Sequence, residues 1–356
     1  MILFSATRPG AADCIFPVVS AWRECNHSAE LLVSGNALAM ARRSNIIHTE
    51  FETPQMVSHA DACNYVLNKL APEIVVAGLL GDWDQGLDLC IVCKAEMSGI
   101  KTIAVLDSWM NLSERMYGEL GPCGEPFIPD KLAVPDTYAK EAMISIGFPE
   151  DRLAVTGQPA FDEVLKWQLP TKETARSLFS INSNELCIVF FSEPIRELRM
   201  DIGFDQYDSL RLLTEGLALA GITATILFKK HPVLEVGISK QFVSGISIIP
   251  VDNSTGLIDL MGVADVVAGI SSTLLVKSYI LDIPVMLLHP GSTDKVPSIL
   301  SKQQYVRPVI HKGDVVHMLN NPEDYMSNKK LHFVGNSAHN IIKAIYNMTD
   351  KEIQYA

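Results

Sequence analysis

The sequence Val266-Val267-Ala268-Gly269-Ile270-Ser271-Ser272-Thr273-Leu274-Leu275 decides the fold class. Its first residues form a short apolar run, typical of a buried strand, and a glycine and hydroxyl residues separate this run from an apolar helix predicted to extend to Leu281. A second apolar run, Ile226-Leu227-Phe228, also ends in polar residues, Lys229-Lys230-His231-Pro232. Because ligands of open α/β sheets bind outside the carboxyl ends of the strands, the two strand ends together predict an anion site.

Comparable apolar runs, rich in Val, Ile and Leu, alternate with longer amphipathic stretches along the whole chain. This alternation is typical of parallel sheets covered by helices on both faces, so we expect an α/β fold. The strands predicted in the first half are 2–6, 29–34, 74–77, 102–106, 131–134 and 153–156. The strands predicted in the second half are 186–191, 224–228, 246–251, 266–268, 285–288 and 308–310.

The length and the strand pattern predict two domains. The 356 residues exceed the size at which single cores stop growing, roughly 250 to 300 residues. The pattern weakens in residues 166–184, which we expect to form a linker around a short helix. We therefore predict doubly wound domains at residues 1–165 and 185–335, with a ligand cleft between them. A helix within residues 336–356 is expected to complete the first domain.

Composition and charge exclude several classes of protein. The formal net charge of -12 and the pI of about 5.2 argue against a protein that grips a polyanion, so no nucleic-acid partner is expected. The absence of a signal-peptide pattern and of an apolar run of about 18 residues favours a cytoplasmic protein and leaves peripheral membrane contact open. The cysteine count of 7 is odd, and Cys90-Ile91-Val92-Cys93 is interpreted as the inward face of a helix.

The residues at the two strand ends in the second half fit a phosphate. Pro232 favours an extended conformation at His231, which holds the imidazole at the strand exit, and at most one of Lys229 and Lys230 shares its face. Ser271 or Ser272 is a natural N-cap, and with Thr273 it begins a helix whose first amides attract an anion. The alternatives are a loop histidine that merely ends a strand, and a serine that only caps its helix.

These motifs resemble those of GT-B glycosyltransferases, in which two Rossmann-like domains hold a nucleotide-activated sugar and its acceptor. The His231-Pro232 and Ser271-Ser272 pairs are similar to motifs of bacterial polysialyltransferases, of capsule transferases that use CMP-activated acid sugars, and of CDP-glycerol polymerases, where they contact the cytidine nucleotide. The resemblance implies a GT-B-like fold and contact between Glu193 and the donor. It implies no cofactor and no metal ion, since helix amides and basic side chains can stabilise a leaving phosphate.

Residues 136–141 and 152–162 resemble the stretch that enters the interdomain region in GT-B transferases and in UDP-N-acetylglucosamine 2-epimerases. The resemblance implies a position for Gln158 near the cleft. The alternative is that Gly157 and Pro159 only mark the end of a strand and the start of a helix. The sequence departs from these families in two ways: the Arg-x-x-Thr-Glu-Arg-Pro-Glu sequence of the epimerases is missing, and so is the pair of glutamates of heptosyl and glycogen synthase style transferases, with Lys277 where an acidic ribose ligand is expected.

Two acidic residues of the first half are candidate catalytic bases. Asp82, in the glycine-bounded loop Gly81-Asp82-Trp83-Asp84, follows one predicted strand, and Asp107 follows the next. Either carboxylate could deprotonate an acceptor hydroxyl within hydrogen-bond reach, and helix capping is the alternative role for both. Three further residues are candidate contacts for a sugar, a carboxylate or a phosphate: Trp109, Arg115 and Arg8.

The function expected from these residues and the resemblance is glycosyl transfer in surface-polysaccharide biosynthesis. The donor would be a nucleotide-activated sugar, with a CMP-linked acid sugar preferred, and the acceptor a glycan or glycoconjugate. One alternative is a UDP-N-acetylglucosamine 2-epimerase-like enzyme or hydrolase, and another is a non-catalytic nucleotide-binding subunit. The oligomeric state is left open, as is the choice between Asp82 and Asp107.

Overall fold

The computed structural model of the protein describes residues 1–52, 58–79, 87–110, 112–113, 128–232, 235–291, 295, 298–332 and 335–349. The chain divides into two compact units. The first unit consists of Met1–Glu163 and Leu331–Ala356, and the second consists of Val164–Lys330.

The first unit is built on a parallel sheet with the order β3-β2-β1-β4-β5-β6-β7. Its strands are β1 (Ile2–Ala6), β2 (Ala29–Val33), β3 (Thr49–Glu50), β4 (Ile74–Leu79), β5 (Lys101–Leu106), β6 (Lys131–Val134) and β7 (Leu153–Val155). Its described helices are α1 (Pro9–Glu24), α2 (Gly35–Arg43), α3 (His59–Leu70), α4 (Leu87–Met97), α5 (Thr137–Ser145) and α6 (Pro159–Asp162), with a later helix from the chain's end.

Close packing of α1 on the sheet fixes the start of that helix. Proline at Pro9 is suited to the first helical position because its missing amide hydrogen is not needed there. A Cβ atom at Gly78 of β4 would lie 2.3 Å from the Cβ of Ala11, so the strand and the helix approach as closely as they do only because position 78 is glycine. The carboxyl ends of β1 and β4 therefore lie directly against the first turns of α1.

The second unit has the sheet order β10-β11-β9-β8-β12-β13, parallel except for the β10–β11 pair. Its strands are β8 (Leu186–Phe191), β9 (Ala224–Lys229), β10 (Gln241–Val243), β11 (Ile246–Pro250), β12 (Val266–Gly269) and β13 (Val285–Leu287). Its described helices are α7 (Lys172–Phe179), α8 (Gln206–Leu219), α9 (Leu257–Val263), α10 (Thr273–Ile280), α11 (Ile299–Lys302) and α12 (Lys312–Asn320).

The last described helix, α13 (Ser337–Met348), belongs to the first unit. Its buried residues Ile341, Ile342 and Ile345 share one apolar core with α1 and the first sheet. Tyr346 packs beside the Trp22 ring, with the ring centroids 5.3 Å apart. The final helix is thus part of the unit that begins the chain.

The α/β fold with two doubly wound sheets is confirmed, and the differences concern short edge elements. All residues of the strands β3 and β10 are exposed, so no buried apolar run in the sequence predicts them. The prediction of a strand at 308–310 was wrong, because Val309 forms an isolated bridge to Leu288 and not a strand. No helix in the described part of the chain is long and apolar enough to cross a membrane.

Candidate functional site

The second sheet places the predicted anion residues at its topological switch point. β9 and β11 lie on one side of β8, while β12 and β13 lie on the other, so the winding direction reverses between β8 and β12. Ligands of doubly wound sheets bind in the crevice outside the carboxyl ends of such strands. Glu193 follows β8 by two residues, and Ser271 follows β12 by two residues.

A carboxylate of the protein itself occupies the beginning of α10. Glu193 Oε2 accepts hydrogen bonds from the backbone amides of Ser271 at 2.7 Å and Ser272 at 2.9 Å, and its Oε1 accepts one from Ser271 Oγ at 2.7 Å. Ser272 is the N-cap residue, and its hydroxyl accepts a hydrogen bond from the Leu274 amide. The position that the sequence analysis gave to a phosphate is therefore held by Glu193.

Burial sets the proton affinity of Glu193. Desolvation raises the pKa of this carboxyl, while the hydrogen bonds from Ser271 and Ser272 and the charge of His231 lower it. The first effect is the largest, so the site binds a proton more readily than an exposed glutamate does. A neutral Glu193 could share the beginning of α10 with a phosphate, whereas an ionised one repels it.

His231 lies near two buried carboxyls, those of Glu235 and Glu193. Its backbone amide donates to Glu235 Oε2 at 2.6 Å, and Glu235 Oε1 accepts from Ser192 Oγ at 2.6 Å. Burial raises the pKa of Glu235, and the charge of His231 lowers it, as at Glu193. The backbone of His231 is thus held near the ends of β8 and β9 by hydrogen bonds that no sequence motif predicted.

The lysines at the end of β9 are engaged within the unit. The buried Lys229 donates from Nζ to the carbonyl oxygen of Asp252 at 2.7 Å, and Lys230 Nζ lies 3.4 Å from the carbonyl oxygen of Glu235. Pro232 is exposed. The buried Lys277 of α10 places its Nζ 5.6 Å from the centroid of the Trp167 ring, a cation–π contact.

The first sheet has its own switch point, between β1 and β4, and its residues form a second candidate site. β2 and β3 lie on one side of β1, and β4 to β7 lie on the other. Arg8 is exposed and is the N-cap residue of α1. An oxygen of the Asp107 side chain lies against Gly10, where a Cβ atom would come within 2.1 Å of it.

Gln158 supports the backbone around Asp107, and Trp109 packs inside the same unit. The fully buried Gln158 donates from Nε2 to the carbonyl oxygens of Leu106 at 3.2 Å and Asp107 at 3.0 Å. Trp109 is also buried, and its Nε1 donates to Asp136 Oδ1 at 3.1 Å. Its ring stacks on Phe161, with centroids 6.0 Å apart, so this tryptophan packs inside the unit and does not present an open face to a sugar.

Asp88 is the functional candidate that the sequence analysis missed. It lies in the first turn of α4, is fully buried, and accepts hydrogen bonds from Ser5 Oγ and the Thr7 amide. Burial raises its pKa to about 6, the bonds from Ser5 and Thr7 lower it, and the charge of Asp107 raises it. A signal was present, since a carboxylate within the apolar run Leu87-Asp88-Leu89-Cys90 requires a partner. The predicted residues Asp82, Asp84 and Arg115 lie outside the described residues.

Comparison with solved structures shows the fold over the full length of the chain. A UDP-GlcNAc 2-epimerase from Neisseria meningitidis, solved with UDP-GlcNAc, is similar with a TM-score of 0.68 at 15% identity, over 97% of this chain and 99% of that one. The Methanocaldococcus jannaschii 2-epimerase, in complex with UDP-GlcNAc and UDP, gives a TM-score of 0.63 at 17% identity, with 97% and 99% covered.

A glycosyltransferase from Rickettsia africae is also similar, with a TM-score of 0.55 at 11% identity over 98% of this chain and 92% of that one. No family model matches the sequence, and no curated protein matches it either. The fold is therefore GT-B-like, with two Rossmann-like units, and it is shared with UDP-GlcNAc 2-epimerases. The class that the fold defines includes proteins that bind nucleotide sugars.

Proposed function

We propose that this protein binds a nucleotide-activated sugar and acts on it as an enzyme of the UDP-N-acetylglucosamine 2-epimerase kind. The observation that carries the proposal is the full-length likeness to 2-epimerases, among them proteins solved with UDP-GlcNAc and UDP. The polar switch points of the two sheets support it, because each carries a carboxyl and hydroxyl or amide groups where ligands of such sheets bind.

The proposed roles follow from the contacts of each residue. His231, Ser271, Ser272 and Thr273 would contact the phosphates, and Glu193 would control how closely they approach α10. Lys229 and Pro232 would hold the His231 turn. In the first unit Asp107 is the proposed acid or base, with Asp82 as the other candidate and Arg8 and Arg115 as anion contacts.

Chemistry at C2 of a sugar explains why an acid or base is needed. A 2-epimerase removes the proton from C2 as the C1–O bond to UDP breaks, and adds a proton to the opposite face of C2 as UDP rejoins C1, so it requires at least one side chain that exchanges a proton near the substrate. Asp107 has an oxygen against Gly10, at the beginning of α1, and its backbone is fixed by Gln158. Such a carboxyl is held in one place, as proton transfer requires.

Glycosyl transfer is the second candidate function, favoured by the His231-Pro232 and Ser271-Ser272 pairs. In that case a CMP-linked acid sugar is the preferred donor, and a glycan or glycoconjugate acceptor loses a hydroxyl proton to Asp107 or Asp82. The fold similarity to the Rickettsia africae glycosyltransferase is compatible with this function.

One experiment separates these functions. The protein is incubated in D₂O with UDP-N-acetylglucosamine, or with a CMP-activated acid sugar with and without glycan acceptors, and the products are analysed by NMR and mass spectrometry. An epimerase incorporates deuterium at C2 and yields the manno epimer or free UDP. A transferase releases CMP in an acceptor-dependent reaction, whereas a non-catalytic subunit binds without turnover.

Binding is measured in parallel by thermal shift, since a ligand at about a hundred times its dissociation constant stabilises the folded state by about 2.7 kcal/mol. Asp107→Asn is expected to abolish turnover while retaining nucleotide binding. Asp130→Asn is the matched control, because Asp130 accepts bonds from Thr102 at the amino end of β5. If none of the nucleotides tested shifts the melting temperature of the wild type, the proposal is wrong.

A further inference from the structure

Asp88 joins α4 to the turn that follows β1. One carboxylate oxygen accepts from Ser5 Oγ, on β1, and the other accepts from the Thr7 amide at 2.8 Å. The side chain is fully buried, and it reaches the turn across 81 positions of the sequence. The carboxyl group therefore forms a single direct link between the first turn of α4 and the residue that precedes Arg8.

The turn at Thr7 is held from the other side as well. The Thr7 carbonyl oxygen accepts from the Ala37 amide of α2 at 3.0 Å, and Ser34 Oγ lies 3.4 Å from Thr7 Oγ1. The next carbonyl, that of Arg8, accepts from the Ala12 amide at 2.9 Å and begins α1. With Thr7 fixed by α4 and α2, the backbone that carries the exposed Arg8 side chain has little freedom.

Burial of a carboxyl group at this link is energetically unfavourable. Burial of a carboxylate costs several kcal/mol, and neutral acceptors such as asparagine could receive the Thr7 amide equally well. The charged groups that face Asp88 include Asp107, at the end of β5, while Asp88 itself raises the pKa of Cys63 on α3. An ionisable side chain that is expensive to bury and lies beside a candidate acid is characteristic of functional sites.

Asp130 provides the structural comparison. Its Oδ2 accepts from the Thr102 amide at 2.8 Å and from Thr102 Oγ1 at 3.2 Å, which is the same combination of amide and hydroxyl donors. It does so at the amino end of β5, the edge of the sheet opposite to Asp107. Asp130 and Asp88 thus both accept from an amide and a hydroxyl group, but Asp130 does so with one oxygen, is only half-buried, and lies at the edge of the sheet away from the candidate site.

We propose that Asp88 is a positioning residue, which fixes the Thr7 turn so that Arg8 contacts an anionic group of the nucleotide sugar. The inference rests on the proposed function, since it takes the nucleotide sugar as the ligand. Asp88 acts through Arg8 and does not itself touch the ligand. Its loss should therefore weaken binding only as far as the loss of Arg8 does.

A double-mutant cycle tests this dependence. Dissociation constants for UDP-N-acetylglucosamine are measured by calorimetry for the wild type, Asp88→Ala, Arg8→Ala and the double variant. We expect each single change to weaken binding about tenfold, which corresponds to about 1.4 kcal/mol, and the double variant to bind no more weakly than Arg8→Ala. A purely structural role would leave the ligand affinity of folded Asp88→Ala unchanged.

Two further variants keep the test decisive. Asp88→Asn retains an oxygen for the Thr7 amide, so it should restore affinity to within about threefold of the wild type. Asp88→Ser leaves a polar group for Ser5 and cannot reach Thr7, so it should bind like Asp88→Ala even if the alanine variant folds poorly. Asp130→Asn, the matched control, should bind like the wild type.

The outcomes separate the inference from the proposed function. Failure of the wild type to bind any nucleotide sugar would overturn both. Wild-type binding with unchanged affinity in Asp88→Ser and Asp88→Ala would overturn the positioning role alone. Multiplicative losses in the Asp88→Ala/Arg8→Ala double variant would also overturn it, because they would show that Asp88 acts independently of Arg8.

Discussion

Replacement of Glu193 by glutamine should strengthen phosphate binding, although the residue lies within the candidate nucleotide site. In the ligand-free protein this carboxyl accepts the amides of Ser271 and Ser272 at 2.7 and 2.9 Å. Those amides lie immediately before α10, beside the helix start that would otherwise receive the phosphate. Glutamine has nearly the same shape, keeps one oxygen for the amides, and removes the negative charge.

The expected change in phosphate affinity follows from the repulsion between the Glu193 carboxylate and the phosphate. Two unit negative charges about 4 Å apart repel each other by about 4 kcal/mol at an effective permittivity of about 20. The protein avoids this cost if Glu193 takes up a proton, which its raised pKa favours. The repulsion is therefore fully present only when the pH lies above the raised pKa. At pH 8 we expect Glu193→Gln to bind at least about tenfold more tightly, where tenfold corresponds to about 1.4 kcal/mol.

Calorimetric titration with UDP-N-acetylglucosamine from pH 5 to pH 9 provides the assay, because each phosphate of this diphosphate diester keeps one fixed charge in that range. Wild-type affinity should fall as the pH rises, and the Glu193→Gln profile should be flatter. Glu235→Gln is the matched control, since Glu235 bonds to His231 and Ser192 and is not bonded to α10. Equal or weaker binding by Glu193→Gln at pH 8 would refute the reasoning.

Three further predictions concern stability. The pKa of Asp88 is raised to about 6, so its stabilising contribution is present below about pH 4 and falls by about 3 kcal/mol as the pH rises through 6; urea unfolding of Asp88→Asn should lack this loss. Burial lowers the pKa of His289 to about 4, so stability should fall by about 3 kcal/mol as the pH drops from 6.5 through 4, and His289→Gln should remove that part of the acid sensitivity. A Cβ atom at Gly216 of α8 would lie 2.5 Å from the Cβ of Val315, so Gly216→Ala should cost about 1–3 kcal/mol in denaturant unfolding, whereas Gly313→Ala, with open space around it, should not destabilise α12.

The strands could be predicted where apolar runs report burial on both faces. β1 and β9 are buried at every residue, and both were predicted within one residue of their ends. β3 and β10 could not be predicted, because exposed edge strands depend on pairing with a neighbour and carry no apolar pattern of their own. Local periodicity thus specifies the interior of each sheet and the edge strands β7 and β13, and it misses the exposed edge strands β3 and β10.

Only those features of the candidate site that depend on neighbouring residues in the sequence could be predicted. Ser271 or Ser272 was expected as an N-cap, because capping depends on the residue and the helix that follows it, and Ser272 has this role in the structure. The roles of Asp88 and Glu193 depend on partners 81 and 78 positions away, which the fold brings together and no motif spacing encodes. Trp109 was a candidate contact for a sugar, and its stacking partner Phe161 lies on a later helix. The role of a residue whose partner is distant in the sequence can therefore be assigned only from the structure.

In each of the two units, a carboxyl group of the protein lies at or beside the start of a helix. In the first, the Asp107 carboxyl lies against Gly10 of α1, and in the second, the Glu193 carboxyl accepts hydrogen bonds from the amides of Ser271 and Ser272, immediately before α10. A helix start attracts an anion by its free amides and its dipole, and this rule led the sequence analysis to a phosphate at Ser271 and Ser272. The rule holds in the structure, but the anion beside α10 belongs to the protein. A phosphate bound there, as we propose, would compete with Glu193 or bind when this carboxyl is protonated, so we expect nucleotide affinity to depend on the charge of this carboxyl more than on the hydroxyl groups beside it.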